Sequence, residues 1–223
     1  MPLNSEAPDN LTKEDVAVVA HEVRGALTVI SGFSELLRRE LSEEDRKAAL
    51  DGISRAVRRI DRLVDSFMIG ARHARTPGQR ISLVELAESV AAEQRAITGR
   101  QVVLTVVDRP EVSGVPDALE RALGNLIDNA LKYSLRNSGV DIEVGTENGF
   151  GVLAVADRGP GIPEDEREQV LQPFERLGRT DVPGTGLGLA VVNGVAEAHG
   201  GRVEIRERDG GGTVVRLLLP LAP

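Results

Sequence analysis

Apolar residues recur at helical spacing from Val16 through Val19, Val23, Leu27, Ile30, Phe33 and Leu37 to Leu41, and no proline interrupts the chain between Leu11 and Arg75. Positions three and four apart fall on one face of a helix, so the pattern predicts one long amphipathic helix. Ser42, followed by Glu43, Glu44 and Asp45, reads as the start of a second: a hydroxyl that accepts from a free amide, and carboxylates that complement the helix dipole. The second stripe runs Ala49, Ile53, Ala56 or Val57, Ile60, Leu63 or Val64 and Phe67, and Arg55, Arg58, Arg59 and Arg62 fall mostly on other, solvated faces. Together the helices form a hairpin. A lone hairpin has too little partner surface to cover both stripes, so pairing with a second copy into a dimeric four-helix bundle is expected.

The pattern changes after Arg72. Proline, glycine and polar residues over 72–80 read as a linker, which sets the expected organisation: a helical domain over 11–74, a linker over 75–80 and a second domain over 81–220. Ser82-x-x-Glu85 forms a capping box that opens a helix at Leu83. The alternation at 102–107 predicts a strand, and Asp117 to Ser134 predicts a helix. Strands at 140–146 and 152–157 flank Asn148-Gly149 as a hairpin, and strands at 202–206 and 213–219 flank glycines 210–212 as another. The second domain is therefore expected to be α+β, with helices covering one face of a sheet.

Composition narrows the chemistry. The 223 residues, 41% hydrophobic and 28% charged, suit two small globular domains. A net charge of −8 with scattered basic residues argues against a nucleic-acid partner. Cysteine is absent and the three histidines lie far apart, which removes disulfides, thiol redox chemistry and zinc cages from consideration. No apolar run is long enough to cross a bilayer and no signal peptide is visible, so the chain reads as cytoplasmic, whole or as the cytosolic part of a larger or membrane-bound protein.

Four short motifs then stand in order along the second domain. Asn125 and Asn129 lie four apart on one helical face, where amide oxygens suit a hard cation such as Mg²⁺; Lys132 adds a point charge for phosphate and Tyr133 an aromatic edge beside a base. Asp157-Arg158-Gly159-Pro160-Gly161 ends a strand, placing a carboxylate that suits an exocyclic amine beside glycines that allow close approach. Phe174-Glu175-Arg176 lies between Pro173 and Pro183. Gly184-Thr185-Gly186-Leu187-Gly188-Leu189 opens a helix, where free amides and the dipole receive phosphate. A Walker loop ending in Gly-Lys-Ser/Thr is absent.

With these motifs the chain resembles the histidine-kinase branch of the Bergerat-fold ATPases, over nearly its whole length from Leu11 to Leu219. The resemblance implies an α/β sandwich that binds ATP, with Asn129 holding Mg²⁺ and Asp157 reading the adenine amino group. It likewise implies that Asn125 and Lys132 face the phosphates, that Tyr133 lies by the adenine, and that Gly184 to Gly188 close a lid, with Gly184, Gly186 and Gly188 as hinges. Arg176, within the third motif, joins the nucleotide-binding set. Hydrolysing relatives carry a glutamate where this chain has Asn125, and an amide cannot activate water as a general base. Another nucleophile is needed.

Ala20-His21-Glu22-Val23-Arg24-Gly25-Ala26-Leu27-Thr28 resembles the family's phosphoacceptor box, with His21 as nucleophile and Glu22 as the acceptor or orienter of its ring proton. The resemblance implies autophosphorylation of His21, then transfer to an aspartate on a response-regulator receiver domain. His73, at the linker, and His199, at a helix end where the dipole favours a cation, read as structural. The box departs from the family where Thr or Asn and then Pro usually follow the arginine: here stand Gly25 and Ala26. Without proline the helix should run straighter, and without a hydrogen-bonding side chain at Gly25 phosphatase activity should be weak or absent. The alternatives are a non-catalytic nucleotide-binding scaffold, supported only by Gly25-Ala26, and a simple ATPase, disfavoured by Asn125.

Overall fold

A computed structural model of the chain describes residues 13–39, 41–72, 79–135, 138–177 and 186–223, with the side chains of 13–22, 58, 59 and 61–72 outside the description. It divides into two compact units, Met1–Met68 and Ile69–Pro223.

The first unit is the hairpin of α1 (Lys13–Leu36) and α2 (Glu43–Arg72). α1 ends one turn earlier than its apolar stripe predicts. Leu37 N–H still reaches back four residues to Phe33, but those of Arg38 and Arg39 reach only three, to Glu35 and Leu36, so the helix tightens and stops. Leu37 and Leu41 therefore lie beyond α1. Ser42 accepts the Asp45 N–H at 3.1 Å, capping α2 as its sequence predicts. Ala26, Ala49 and Ala56 are buried, and Phe33 lies over Gly52, where an added Cβ would sit 2.2 Å from the ring. α1 continues unbroken through Gly25 and Ala26. The buried stripe position is Ala26 rather than Leu27; Leu27 and Leu50 remain 50% and 51% exposed, with Val29, Leu36 and Val57 also exposed.

The second unit is an α/β sandwich. β2 (Val102–Val106), β4 (Val140–Glu147), β5 (Phe150–Ala156), β7 (Thr213–Pro220) and β6 (Arg202–Glu207) form one sheet in the order β2-β4-β5-β7-β6. β2 and β4 run parallel and the other pairs antiparallel. A strand alternates its side chains, so Val140, Ile142, Val144, Leu153, Val155, Val215, Leu217 and Leu219 enter the core together with α3 (Leu83–Thr98), α4 (Pro116–Tyr133) and α5 (Gly188–Ala198). Leu119, Leu123, Leu126 and Ile127 of α4 are almost wholly buried, each stabilising the fold by about 1.5–3 kcal/mol. Asn148 and Gly149, with φ 50° and 83°, make the tight turn between β4 and β5 that their pair predicts.

Two short strands escape the sequence pattern. β1 (Gln79–Ser82) pairs antiparallel with β3 (Glu111–Gly114), so Gln79 and Arg80, read as the end of the linker, belong to a two-stranded sheet. Ser82 closes β1 and caps α3, accepting the Glu85 N–H at 3.3 Å.

The opposite face of the large sheet carries charge. Arg216, buried in the middle of β7, pairs with Glu204 at 2.9 Å and with Glu147, while Arg206 and Arg202 also reach Glu204. Burial pushes the Glu204 carboxyl up, but hydrogen bonds from Arg202 and Arg206 and the charges of Arg206 and Arg216 outweigh it, leaving its pKa below the usual value.

Candidate functional site

α4 sets the frame. Its apolar face fixes its rotation on the sheet, and that rotation buries Asn125 at 8% exposure and leaves Asn129, one turn on, half-buried. A buried amide in a leucine-rich helix calls for polar company. Asn129 meets the start of α5: a Cβ on Gly188 would stand 2.8 Å from its Nδ2 and 3.1 Å from its Oδ1. The glycine is what lets these two elements touch.

Asp157, buried at 7%, follows β5 and is aimed by backbone. Its Oδ1 accepts the Gly159 N–H at 2.7 Å and, more weakly, the Thr213 N–H at 3.4 Å, and its own N–H donates to Thr213 O at 2.9 Å. A Cβ on Gly159 would lie 2.7 Å from Tyr133 O, so the loop after β5 is pressed against the end of α4. Gly161 takes φ 82°, a conformation L side chains avoid. Arg100 secures the same end of α4, its guanidinium donating to the carbonyls of Leu131, Leu135 and Ser138.

The third and fourth motifs also meet. Phe174 N–H donates to Gly186 O at 3.1 Å, and a Cβ on Gly186 would lie 2.6 Å from Phe174 C. Glu175 folds this loop upon itself: its carboxylate accepts from Gln169 Nε2 and from the Leu177 and Arg176 N–H groups, which hold its pKa below the usual carboxylate value. Phe174 and Leu177 take φ 66° and 50°, backbone strain that these bonds sustain. Arg176 is half-buried and Leu187 buried.

The structure thus brings together Asn129 with Gly188, the Tyr133 backbone with Gly159, Gly159 with Asp157, and Phe174 with Gly186. The Lys132 ammonium pairs with Asp128 at 2.7 Å along the same helix. Gly184 and Thr185 lie outside the described residues, as do the side chains of His21 and Glu22, whose backbone belongs to α1. His73 also lies outside them. Three contributors went unread in the sequence. Thr213 and Gly212 support Asp157, Gly212 so closely that a Cβ there would stand 2.2 Å from Asp157 O. Ser134 Oγ accepts the Arg158 N–H at 3.4 Å. The triple glycine 210–212 was the available signal, but it reads equally well as a hairpin loop alone. His199 is not offered to the dipole as a cation, because one ring nitrogen accepts the Val115 N–H at 3.1 Å.

Among the described residues there is no cluster of three His, Asp or Glu side chains fit to hold a metal, and no helix is long and apolar enough to cross a membrane. What the arrangement offers is a buried carboxylate at Asp157, a helix that bears the amides of Asn125 and Asn129, and glycines where neighbouring segments approach closely.

Two family models match the chain. One, described as His Kinase A (phospho-acceptor) domain, covers residues 13–73; the other, described as Histidine kinase-, DNA gyrase B-, and HSP90-like ATPase, covers residues 114–223. The sensor protein CutS of Streptomyces coelicolor is 32% identical over 92% of this chain, which spans 52% of that protein's length. A mycobacterial sensor histidine kinase, MprB, is 30% identical, with 66% of this chain and 99% of that one covered at a TM-score of 0.59. ShkA, solved in complex with AMPPNP, is 26% identical, with 95% of this chain and 46% of that one covered at a TM-score of 0.68.

Proposed function

Because the chain belongs to the sensor histidine kinases of two-component systems, we propose that its second unit binds ATP and that His21 in its first unit accepts the γ-phosphoryl group. The reading is supported by the meeting of Asn129 with Gly188 and by the backbone-aimed Asp157 after β5. In it Asp157 takes the adenine amine, Tyr133 flanks the ring, and Asn125 and the amides of Gly184 to Gly188 face the phosphates. Lys132, held by Asp128, contributes its charge at the rim. Asn129 would hold Mg²⁺, a hard ion that suits an amide oxygen and neutralises phosphate charge when bound.

A ring nitrogen of neutral His21 attacks the γ-phosphorus, and the bond to the β–γ bridging oxygen breaks. ADP leaves with the electron pair, and Glu22 accepts the ring proton. Asn125 has no basic atom with which to activate water, which leaves the imidazole as nucleophile. The phosphoryl group then passes to an aspartate carboxylate on a response-regulator receiver domain. The exposed Leu27, Val29, Leu36, Leu50 and Val57 support pairing of two hairpins in a homodimer, since a second copy would cover them. Gly25 supports weak phosphatase activity, because its position holds no group to orient a water. The assembly works in the cytoplasm.

Incubation with γ-labelled ATP tests the reading. Acid-labile label on the unmodified chain and none on His21→Ala is the expected result. Unlabelled wild type that still binds ATP would leave a nucleotide-binding scaffold, and phosphate release indifferent to His21 would leave an ATPase.

A further inference from the structure

α5 meets α4 at both ends, by close approach at one and by a hydrogen bond at the other. At one end Gly188 lies on Asn129. At the other, His199 caps α5 and its imidazole reaches the residue that opens α4: Nδ1 lies 2.7 Å from Val195 O and Nε2 lies 3.1 Å from Val115 N. A carbonyl only accepts and an amide N–H only donates, so the partners assign a neutral ring with its proton on Nδ1. The ring rests on the bare side of Gly114, where a Cβ would stand 2.8 Å from Cδ2 and 3.0 Å from Nε2.

Between these ends α5 offers Val191, Val192, Val195 and Ala196 to the core it shares with Ala118, Leu119, Ala122, Leu123 and Leu126 of α4. Ridge-into-groove packing of such side chains tolerates a range of helix settings, and a directional hydrogen bond selects among them. Val115, the residue that opens α4 without a side-chain cap, has its own N–H satisfied by this ring. The two end contacts are roughly 20 Å apart along α4 by helix rise.

We infer that His199 is a positioning residue of the nucleotide site: its imidazole, hydrogen-bonded to Val115, fixes the register of α5 on α4 and so holds Gly188 against Asn129. It acts without touching nucleotide. The inference rests on the reading of Asn129 and Gly188 as nucleotide-binding residues.

The test compares the full chain with His199→Asn and His199→Gln. An asparagine amide reproduces the Nδ1 donor to Val195 but falls short of Val115; a glutamine reaches about as far as Nε2 and restores the acceptor. Binding of a fluorescent ATP analogue with Mg²⁺ should weaken five- to tenfold in His199→Asn and stay within twofold of wild type in His199→Gln. KM for ATP should rise in His199→Asn with kcat at saturation little changed. A stability role alone predicts lowered Tm in both variants with unchanged nucleotide affinity, and that result overturns the inference. So does a glutamine variant that binds as weakly as the asparagine one. Should either fail to fold, Gly114→Ala displaces the ring from its other side and must also weaken binding. Wild type that binds no ATP would instead sink the underlying nucleotide reading.

Discussion

Replacing Gly188 with alanine separates stability from function. The new Cβ would lie 2.8 Å from Asn129 Nδ2 and 3.3 Å from its Cγ, well inside a carbon contact of about 3.5–4.0 Å. What stands in the way is the end of a side chain and not backbone, so the Asn129 amide swings aside at a cost of about 0.5–1.5 kcal/mol. Alanine in the first turn of α5 returns up to about 1 kcal/mol in helix propensity. These nearly cancel, and the unliganded protein should melt within a few degrees of wild type. Nucleotide binding has no such compensation. If Asn129 supplies a charge-assisted contact to the metal-bound phosphates, its displacement loses about 1.5–3 kcal/mol, roughly 10- to 100-fold in affinity. Titration calorimetry with Mg·ATP measures this directly, and scanning calorimetry of the apo protein supplies the control. Asn129→Ala closes a double-mutant cycle: in that background Gly188→Ala should cost almost nothing. Wild-type affinity in Gly188→Ala, or equal losses in both backgrounds, refutes the argument.

Ser82→Ala removes the oxygen that caps α3 and should cost about 1 kcal/mol, lowering Tm by roughly 2–4 °C with ATP affinity unchanged. Glu204, with its pKa held below 4.5 by its arginines against the effect of burial, contributes stability that is present above that value and lost as pH falls through its folded pKa. In urea melts the advantage of wild type over Glu204→Gln, no more than about 1 kcal/mol, should therefore be seen at pH 7 and shrink below pH 4.5. A Cβ at Gly25 meets nothing within 4 Å, so Gly25→Thr should fold as wild type does. Its dephosphorylation of the response regulator should exceed that of the unmodified chain several-fold; brisk phosphatase activity before substitution would contradict the reading.

Long periodic segments were legible in the sequence because many residues vote for one face. α2, α3 and α4 with their starts, and the hairpins around Asn148-Gly149 and glycines 210–212, follow from such votes and from turn chemistry. β1 and β3 did not, because Gln79–Ser82 and Glu111–Gly114 are too short to show a period and the former lies in a polar stretch. α1 overran for the opposite reason: Leu37 and Leu41 continue an apolar rhythm that hydrogen bonding had already abandoned. Within the candidate site the motif residues were visible and their supports were not. Thr213 and Gly212 lie far along the chain from Asp157, and only strand pairing of β5 with β7 brings them beside it.

That difference explains why so many glycines attend the site. Read along the sequence, Gly159, Gly188 and Gly212 suggest turns or phosphate loops, roles that depend on backbone freedom or free amides. In the fold each marks a point where another segment presses in: Tyr133 O on Gly159, Asn129 on Gly188 and Asp157 O on Gly212. A side chain at Gly159 or Gly212 would meet backbone and push two segments apart, whereas one at Gly188 would displace the Asn129 side chain. Asp157 is caught between two of these contacts, with its carboxylate oxygen held by the Gly159 N–H on one side and its carbonyl against Gly212 on the other. Its orientation is set by backbone before any ligand arrives, which is the condition under which a single buried carboxylate discriminates an amine from other ring substituents.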